Sequence, residues 1–163
     1  EVDGTAITFA GGLTLPAIPP ATRSEALHAA IGSAQPGDYL VLLVYAPDDG
    51  ERFATLREAA GAVGKATGRA VCLELGPRYL HSTGQLHKGG PNSGVFVLVT
   101  ARDAADVEIP GTTYTLAALH RAQADGDLVT LARHGRRVMR LDLPDSSAET
   151  LAALAADLVT AAG

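Results

Sequence analysis

The chain has no tryptophan, one cysteine and one methionine, and aromatic residues make up only 4% of it. Its core must therefore be aliphatic, built from leucine, valine, isoleucine and alanine. A lone Cys72 allows no internal disulfide, and its apolar neighbours make it read as a small buried hydrophobe. A reducing cytoplasm fits that usage. No stretch approaches the ~20 apolar residues of a membrane span, and no signal-peptide pattern is present. No run of lysine or arginine offers a nucleic-acid surface, and a formal net charge of −5 disfavours one. The densest basic cluster, Arg133-His134-Gly135-Arg136-Arg137, is short and reads as the decoration of a helix end, where cations suit the dipole. Neither nucleic acid nor a membrane is an expected partner.

What is present is enough for one domain. Apolar residues account for 47% of 163, the composition of a globular chain with a real core. Residues 5–17 read as a small hairpin turned by Gly11-Gly12, with Thr5–Phe9 and Leu13–Pro16 as its strands. The prolines at 16, 19 and 20 then make a linker. Thr22 with Glu25 forms a capping box for a helix with Leu27 and Ile31 on one face. Tyr39–Tyr45 is a continuous apolar run, the mark of a strand covered on both faces. Asp48 and Glu51 propose the next cap, and Phe53, Leu56, Ala60 and Val63 recur at helical spacing until Gly68. Ala70–Glu74 and Gly94–Thr100 read as further strands. Tyr114–Ala124 and Asp127–His134 read as two short helices divided by Gly126. Arg137–Leu143 reads as a strand nearer the edge. Ser146 with Glu149 caps a last helix, striped by Leu151, Leu154 and Leu158.

Strands alternating with helices predict an α/β fold, a three-layer α/β/α sandwich with a mostly parallel sheet. The expected division is a hairpin and linker over 1–20 and the α/β domain over 21–163. Ligands in such sheets lie at the carboxyl ends of strands. The loop at 76–92 (GPRYLHSTGQLHKGGPN) leaves one such end and is rich in groups that donate, accept and transfer protons.

Several chemistries are excluded or left open by these residues. No Walker A or dinucleotide fingerprint is present, so nucleotide binding is unsupported. Ser82-Thr83-Gly84-Gln85 reads either as an ordinary helix start or as an anion-binding one. His81 and His87 are six apart without a carboxylate, which is not a zinc spacing. Acid–base work or simple hydrogen bonding within the loop are the readings that remain for them. The pair His87-Lys88 sets a cation beside a proton shuttle, which favours an anionic substrate. Glu74 is either a base or the partner of Arg78. Ser82 has no nucleophile elbow around it. His28, His120 and His134 fall on predicted helices and read as surface or packing residues.

The segment Leu80-His81-Ser82-x-Gly84-Gln85, within the loop at 76–92, resembles bacterial glucose-6-phosphate isomerases. It is most similar to the isomerase half of transaldolase/glucose-6-phosphate isomerase fusions. Gly94-Val95-Phe96-Val97, Ile109-Pro110-Gly111 with Tyr114-Thr115-Leu116, Gly126-Asp127-Leu128 and Gly135-Arg136-Arg137-Val138 extend the likeness over about residues 36–143. The resemblance implies a sugar-isomerase (SIS) domain that interconverts an aldose and a ketose phosphate through an enediol, with no metal and no organic cofactor. It implies His87, Lys88 and His81 as the catalytic set, and Arg78, Ser82, Thr83 and Gln85 as substrate contacts. The family's late Gln-x-Gly-Val-Glu-x-x-Lys segment has no counterpart, since the region reads Gln123-Ala124-Asp125-Gly126-Asp127. The first isomerase subdomain, with its Ser/Thr-rich phosphate loop, is also not in this sequence.

The chain begins at Glu1 without a methionine and is expected to be the second subdomain of a longer enzyme. Its expected partners are a sugar phosphate, the N-terminal isomerase subdomain, a transaldolase domain in a fusion, and a second copy in a homodimer. Alone it is expected to fold but to turn over little. The alternative is a non-catalytic sugar-phosphate-binding module that regulates or scaffolds a partner.

Overall fold

A computed structural model describes residues 1–163 apart from 3, 15, 48–49 and 103–105. Among the described residues, five strands and five α-helices follow in the order β1 (Ala6–Gly11), α1 (Arg23–Gly32), β2 (Tyr39–Tyr45), α2 (Gly50–Thr67), β3 (Val71–Leu75), α3 (Thr83–Gly89), β4 (Gly94–Ala101), α4 (Leu116–Arg133), β5 (Arg137–Leu143) and α5 (Ala148–Ala162). A single 3₁₀ turn, Arg78–His81, stands between β3 and α3.

The strands form one sheet in the order β1-β5-β4-β2-β3. β2 pairs in parallel with β3 and β4, and β4 with β5, while β1 runs antiparallel along β5 from Ala6↔Asp142 to Gly11↔Arg137. The sheet is therefore mixed, which corrects the expectation of a mostly parallel sheet beside a separate N-terminal hairpin. Gly11-Gly12 does not turn a hairpin: β1 ends there against β5, with Gly12 N–H donating to the Arg136 carbonyl at 2.9 Å. The described residues of 13–16 form no strand, and Leu13 is buried in the main core instead.

Alternation along the strands sorts two apolar layers. Leu40, Leu42 and Val44 of β2, with Val95, Val97 and Val99 of β4, face α1, α2 and α5. Val41, Leu43 and Tyr45, with Phe96 and Leu98, face α4 and the 3₁₀ turn. Helices thus cover both faces of the sheet. The continuous apolar run of β2 exists because neither of its faces meets water. Cys72 is half-buried rather than buried, because β3 is the sheet edge.

The helices start where short polar side chains satisfy free amides. Thr22 accepts from Glu25 N–H at 3.1 Å, and Glu25 accepts in return from Ala21 N–H at 2.7 Å. The cap expected at Asp48 lies outside the described residues. The last helix is capped by Ser147, not Ser146, through Thr150 N–H at 3.1 Å. Its Leu151, Leu154 and Leu158 are buried as the spacing predicts.

Gly126 does not divide two helices, because α4 runs unbroken through it. The roughly 1 kcal/mol that glycine costs a helix is small beside the burial of Ala124, Asp127 and Leu131 on one face. The chain leaves α4 at Gly135, whose φ of +66° is the left-handed conformation that ends helices. The basic cluster beyond it is not mere decoration. Arg136 is buried and donates to the carbonyls of Lys88 (2.7 Å) and Gly90 (2.6 Å), closing α3. Arg137 pairs with Asp38 at 2.8 Å.

Candidate functional site

The connections from β2 and β4 diverge. From β2 the chain crosses one face through α2 to the outer strand β3; from β4 it crosses the other face through α4 to β5. β2 and β4 are neighbours, so their carboxyl ends open a crevice at the topological switch point. A cleft of about 770 Å³ lies there, lined by residues at or just past the carboxyl ends of β2 (Tyr45, Pro47), β3 (Gly76, Arg78) and β4 (Thr100, Arg102), and by the start of α4. That volume is within the range of ordinary small-molecule sites.

The segment 76–92 begins at this cleft and leaves it. The Tyr45 ring packs against Gly76 so closely that a Cβ there would lie 2.6 Å from Tyr45 Cζ. The backbone turns through a cis Gly76-Pro77 bond, and Arg78 projects into the cleft lining. The 3₁₀ turn and α3 then descend over the face of the sheet toward the amino end of β4. His81, Ser82, Thr83 and Gln85 stand exposed on them. Gln85 Nε2 donates to the Leu80 carbonyl at 2.9 Å, and Ser82 Oγ to that of Tyr79 at 3.3 Å. Neither they nor His81 or Thr83 line the cleft.

His87 and Lys88 belong to α3 and turn their side chains under it. His87 is 4% exposed, with its ring edge-on to Phe96 at 5.2 Å between centroids. Its Nδ1 is 3.1 Å from the Tyr39 hydroxyl. Nε2 faces Glu74 Oε1 at 3.8 Å, too long for a hydrogen bond, and has no hydrogen-bond partner among the described residues. Burial lowers the imidazole pKa below its ordinary value, and the Glu74 and Asp127 carboxylates offset part of that. Glu74 thus faces His87.

Lys88 Nζ meets Asp127 Oδ1 at 2.5 Å, and that carboxylate is 1% exposed. Asp127 Oδ2 accepts from the Tyr79 hydroxyl at 2.6 Å, which lies 3.3 Å from the Tyr45 hydroxyl. Burial pushes the Tyr45 phenol up to about 12, and burial with Asp127 raises Tyr79 further, so both stay neutral donors. This chain of groups runs from the floor of the cleft to α3.

Of the expected catalytic and substrate-contact residues, only Arg78 therefore lines the cleft. The side chains that accompany it were not foreseen. Arg102 follows β4, and His120 and Arg121 sit in the second turn of α4. His120 read as a surface or packing residue. No local signal marks it: it sits in the second turn of α4, and only the topology brings the start of that helix over the ends of β2 and β4. Thr100 also lines the cleft, and its hydroxyl donates to Asp142, which Arg140 holds through Nε at 2.8 Å. Among the described residues, no cluster of three or more His, Cys, Asp and Glu is placed to hold a metal ion. No helix among them is long and apolar enough to cross a membrane.

No protein-family model matches the chain, and no curated protein matches it. Among solved structures, 11 chains match. One is the crystal structure of a hypothetical protein from Thermus thermophilus, with a TM-score of 0.70 and 23% identity over 85% of this chain and 37% of that one. At that identity the likeness shows the fold. The chain spans little more than a third of the length of the Thermus protein.

Proposed function

We propose that the chain is the second subdomain of a glucose-6-phosphate isomerase, of SIS-like architecture, and that its carboxyl-edge cleft receives a sugar phosphate. The observation that carries this reading is the cleft itself: about 770 Å³ at the switch point, with Arg78 of the isomerase-like loop in its wall. The likeness of residues 76–92 to bacterial isomerases supplies the substrate class.

Aldose–ketose interconversion moves a proton between C1 and C2. It needs a positioned acid or base and donors for the enediolate oxygen. In this reading His87 and Lys88 position α3, since both are engaged beneath it with Glu74, Tyr39 and Asp127. His81 is the proton-transfer candidate. With Ser82, Thr83 and Gln85 it is exposed outside this chain's own cleft, so in this reading it reaches across an interface to a substrate lodged in the cleft of a second copy or between this chain and the first isomerase subdomain. Val107, exposed in the cleft lining, gives an approaching partner apolar surface.

A second reading, the non-catalytic sugar-phosphate-binding module, is favoured by the burial of His87 away from the cleft. One pair of experiments separates the two: calorimetry of the chain with fructose 6-phosphate, and an isomerase assay of the longer protein with and without His81→Ala. Binding together with turnover that falls ~10²–10⁴-fold in His81→Ala supports the isomerase. Binding without turnover in the longer protein supports the module. Absence of binding removes both.

A further inference from the structure

Among the described residues, the side chains of the cleft lining that carry charge without an internal partner are basic, and they are outside the isomerase-like loop. Arg102, His120 and Arg121 line the cleft, and none of the three forms a hydrogen bond or ion pair with the described residues. Arg78, from the segment that follows β3, adds a further positive group to the lining.

The other polar groups of the lining are engaged within the protein. Asp106, the carboxylate among the lining residues, accepts from Val107 N–H at 2.8 Å and Ala117 N–H at 3.0 Å. Hydrogen bonds from Thr115 and these amides hold its carboxyl below the usual range. It therefore occupies the amino end of α4, and its charge is spent on that end. Thr100 gives its proton to Asp142, and Tyr45 faces Tyr79. What remains to meet a ligand on the α4 side is a set of donors without acceptors. Tyr45, Pro47 and Pro77 supply apolar wall from the strand ends, and Leu116 adds some on α4 itself.

We infer that Arg102, His120 and Arg121 form the phosphate subsite of this cleft, taking the dianionic phosphate of a monoester and leaving its carbon chain against the Tyr45 side. Guanidinium groups match phosphate oxygens by charge and by planar geometry, and an imidazole beside them donates a further hydrogen bond. The inference rests on the proposed function for its hexose and on the cleft alone for its phosphate, which it places here and not on the Ser/Thr-rich loop that the resemblance assigns to the first subdomain.

The test titrates the 163-residue chain with orthophosphate, fructose 6-phosphate and fructose, comparing wild type, Arg121→Gln, the double variant His120→Gln/Arg121→Gln, and Arg133→Gln as a control at the far end of α4. Circular dichroism and thermal unfolding check that each variant folds; Arg121 is exposed and makes no hydrogen bond or ion pair with the described residues, so Arg121→Gln is expected to retain the fold. The expected result is binding of both phosphates by wild type, weakened roughly tenfold in Arg121→Gln, as loss of one charge-assisted hydrogen bond predicts. The loss deepens in the double variant, and Arg133→Gln is unchanged. Equal affinity for fructose 6-phosphate in wild type and double variant overturns the subsite and leaves the proposed function standing. Orthophosphate binding that the double variant loses, with fructose 6-phosphate no tighter, keeps the subsite and removes the hexose reading. No binding of either by wild type at millimolar concentration overturns both.

Discussion

Beneath α3, charge is matched inside the protein. Lys88 meets Asp127 at 2.5 Å, His87 faces Glu74, and the tyrosine hydroxyls of 39 and 79 close the set. Around the carboxyl-edge cleft, Arg102, His120 and Arg121 have no such partners among the described residues. Both regions touch the same short segment, residues 76–92, which starts at the cleft with Arg78 and ends in the buried layer with Lys88. A matched buried set fixes a structure. An unmatched exposed set is available to a ligand. The comparison therefore predicts that substitutions in the two regions fail in different assays.

The largest effect is expected at Asp127. Asp127→Ala leaves the Lys88 ammonium and the Tyr79 hydroxyl without their shared carboxylate in a dry layer. Breaking a buried pair in this way costs about 3–5 kcal/mol, read as a lower urea midpoint. Next comes Gly76→Ala, at the junction of the two regions. Its Cβ meets a Tyr45 ring already packed against Tyr79, so the ring must shift. Overpacking of this kind costs about 1–3 kcal/mol, and the cleft changes shape with it. Arg121→Ala is expected to move stability by less than about 0.5 kcal/mol while weakening ligand binding. If Arg121→Ala instead destabilises as Asp127→Ala does, the contrast between the regions is broken.

A smaller effect sharpens the account of His87. Its folded-state pKa is lowered by burial, so in mild acid the unfolded chain takes up the proton first. The stability tied to the neutral ring is present above the ordinary histidine pKa of about 6.5. It is lost as pH falls from there toward the lowered value. Urea unfolding at about pH 7.5 and about pH 5, either side of that ordinary value, should show the loss, and His87→Gln should flatten it. The smallest effects are expected at the exposed surface of α3. Gln85→Ala removes one exposed hydrogen bond to the Leu80 carbonyl. It should leave both stability and phosphate binding by the isolated chain nearly unchanged.

How much of this was legible in the sequence differs along the chain. β2 and β4 declared themselves as continuous apolar runs because both their faces are covered. The α5 stripe declared itself by spacing. The cap of α5 was displaced by one residue because Asp145 accepts from Ser147 N–H (2.9 Å) and Thr150 Oγ1 (2.6 Å), which selects Ser147 over its neighbour. The hairpin at 5–17 was misread because β1 finds its partner in β5, more than a hundred residues away, and a local turn signal carries nothing about that. Gly126 was misread as a break because helix propensity is weaker than the packing of the face around it.

In the site, Arg78 was legible as the first polar residue past a strand end. His87 and Lys88 looked catalytic because a loop's composition does not show what it meets. Their partners, Tyr39, Glu74 and Asp127, come from β2, β3 and α4. His120 looked ordinary for the same reason, since only the topology brings the start of α4 over the ends of β2 and β4.

The most direct test of the contrast is a map of where a sugar phosphate binds. Backbone and side-chain NMR shifts of the isotope-labelled chain, followed during titration with fructose 6-phosphate, provide it. The account predicts changes centred on Thr100, Arg102, His120 and Arg121 at the carboxyl edge, with the His87 and Lys88 signals nearly still. Changes centred on His87 and Lys88 with a silent α4 would contradict it.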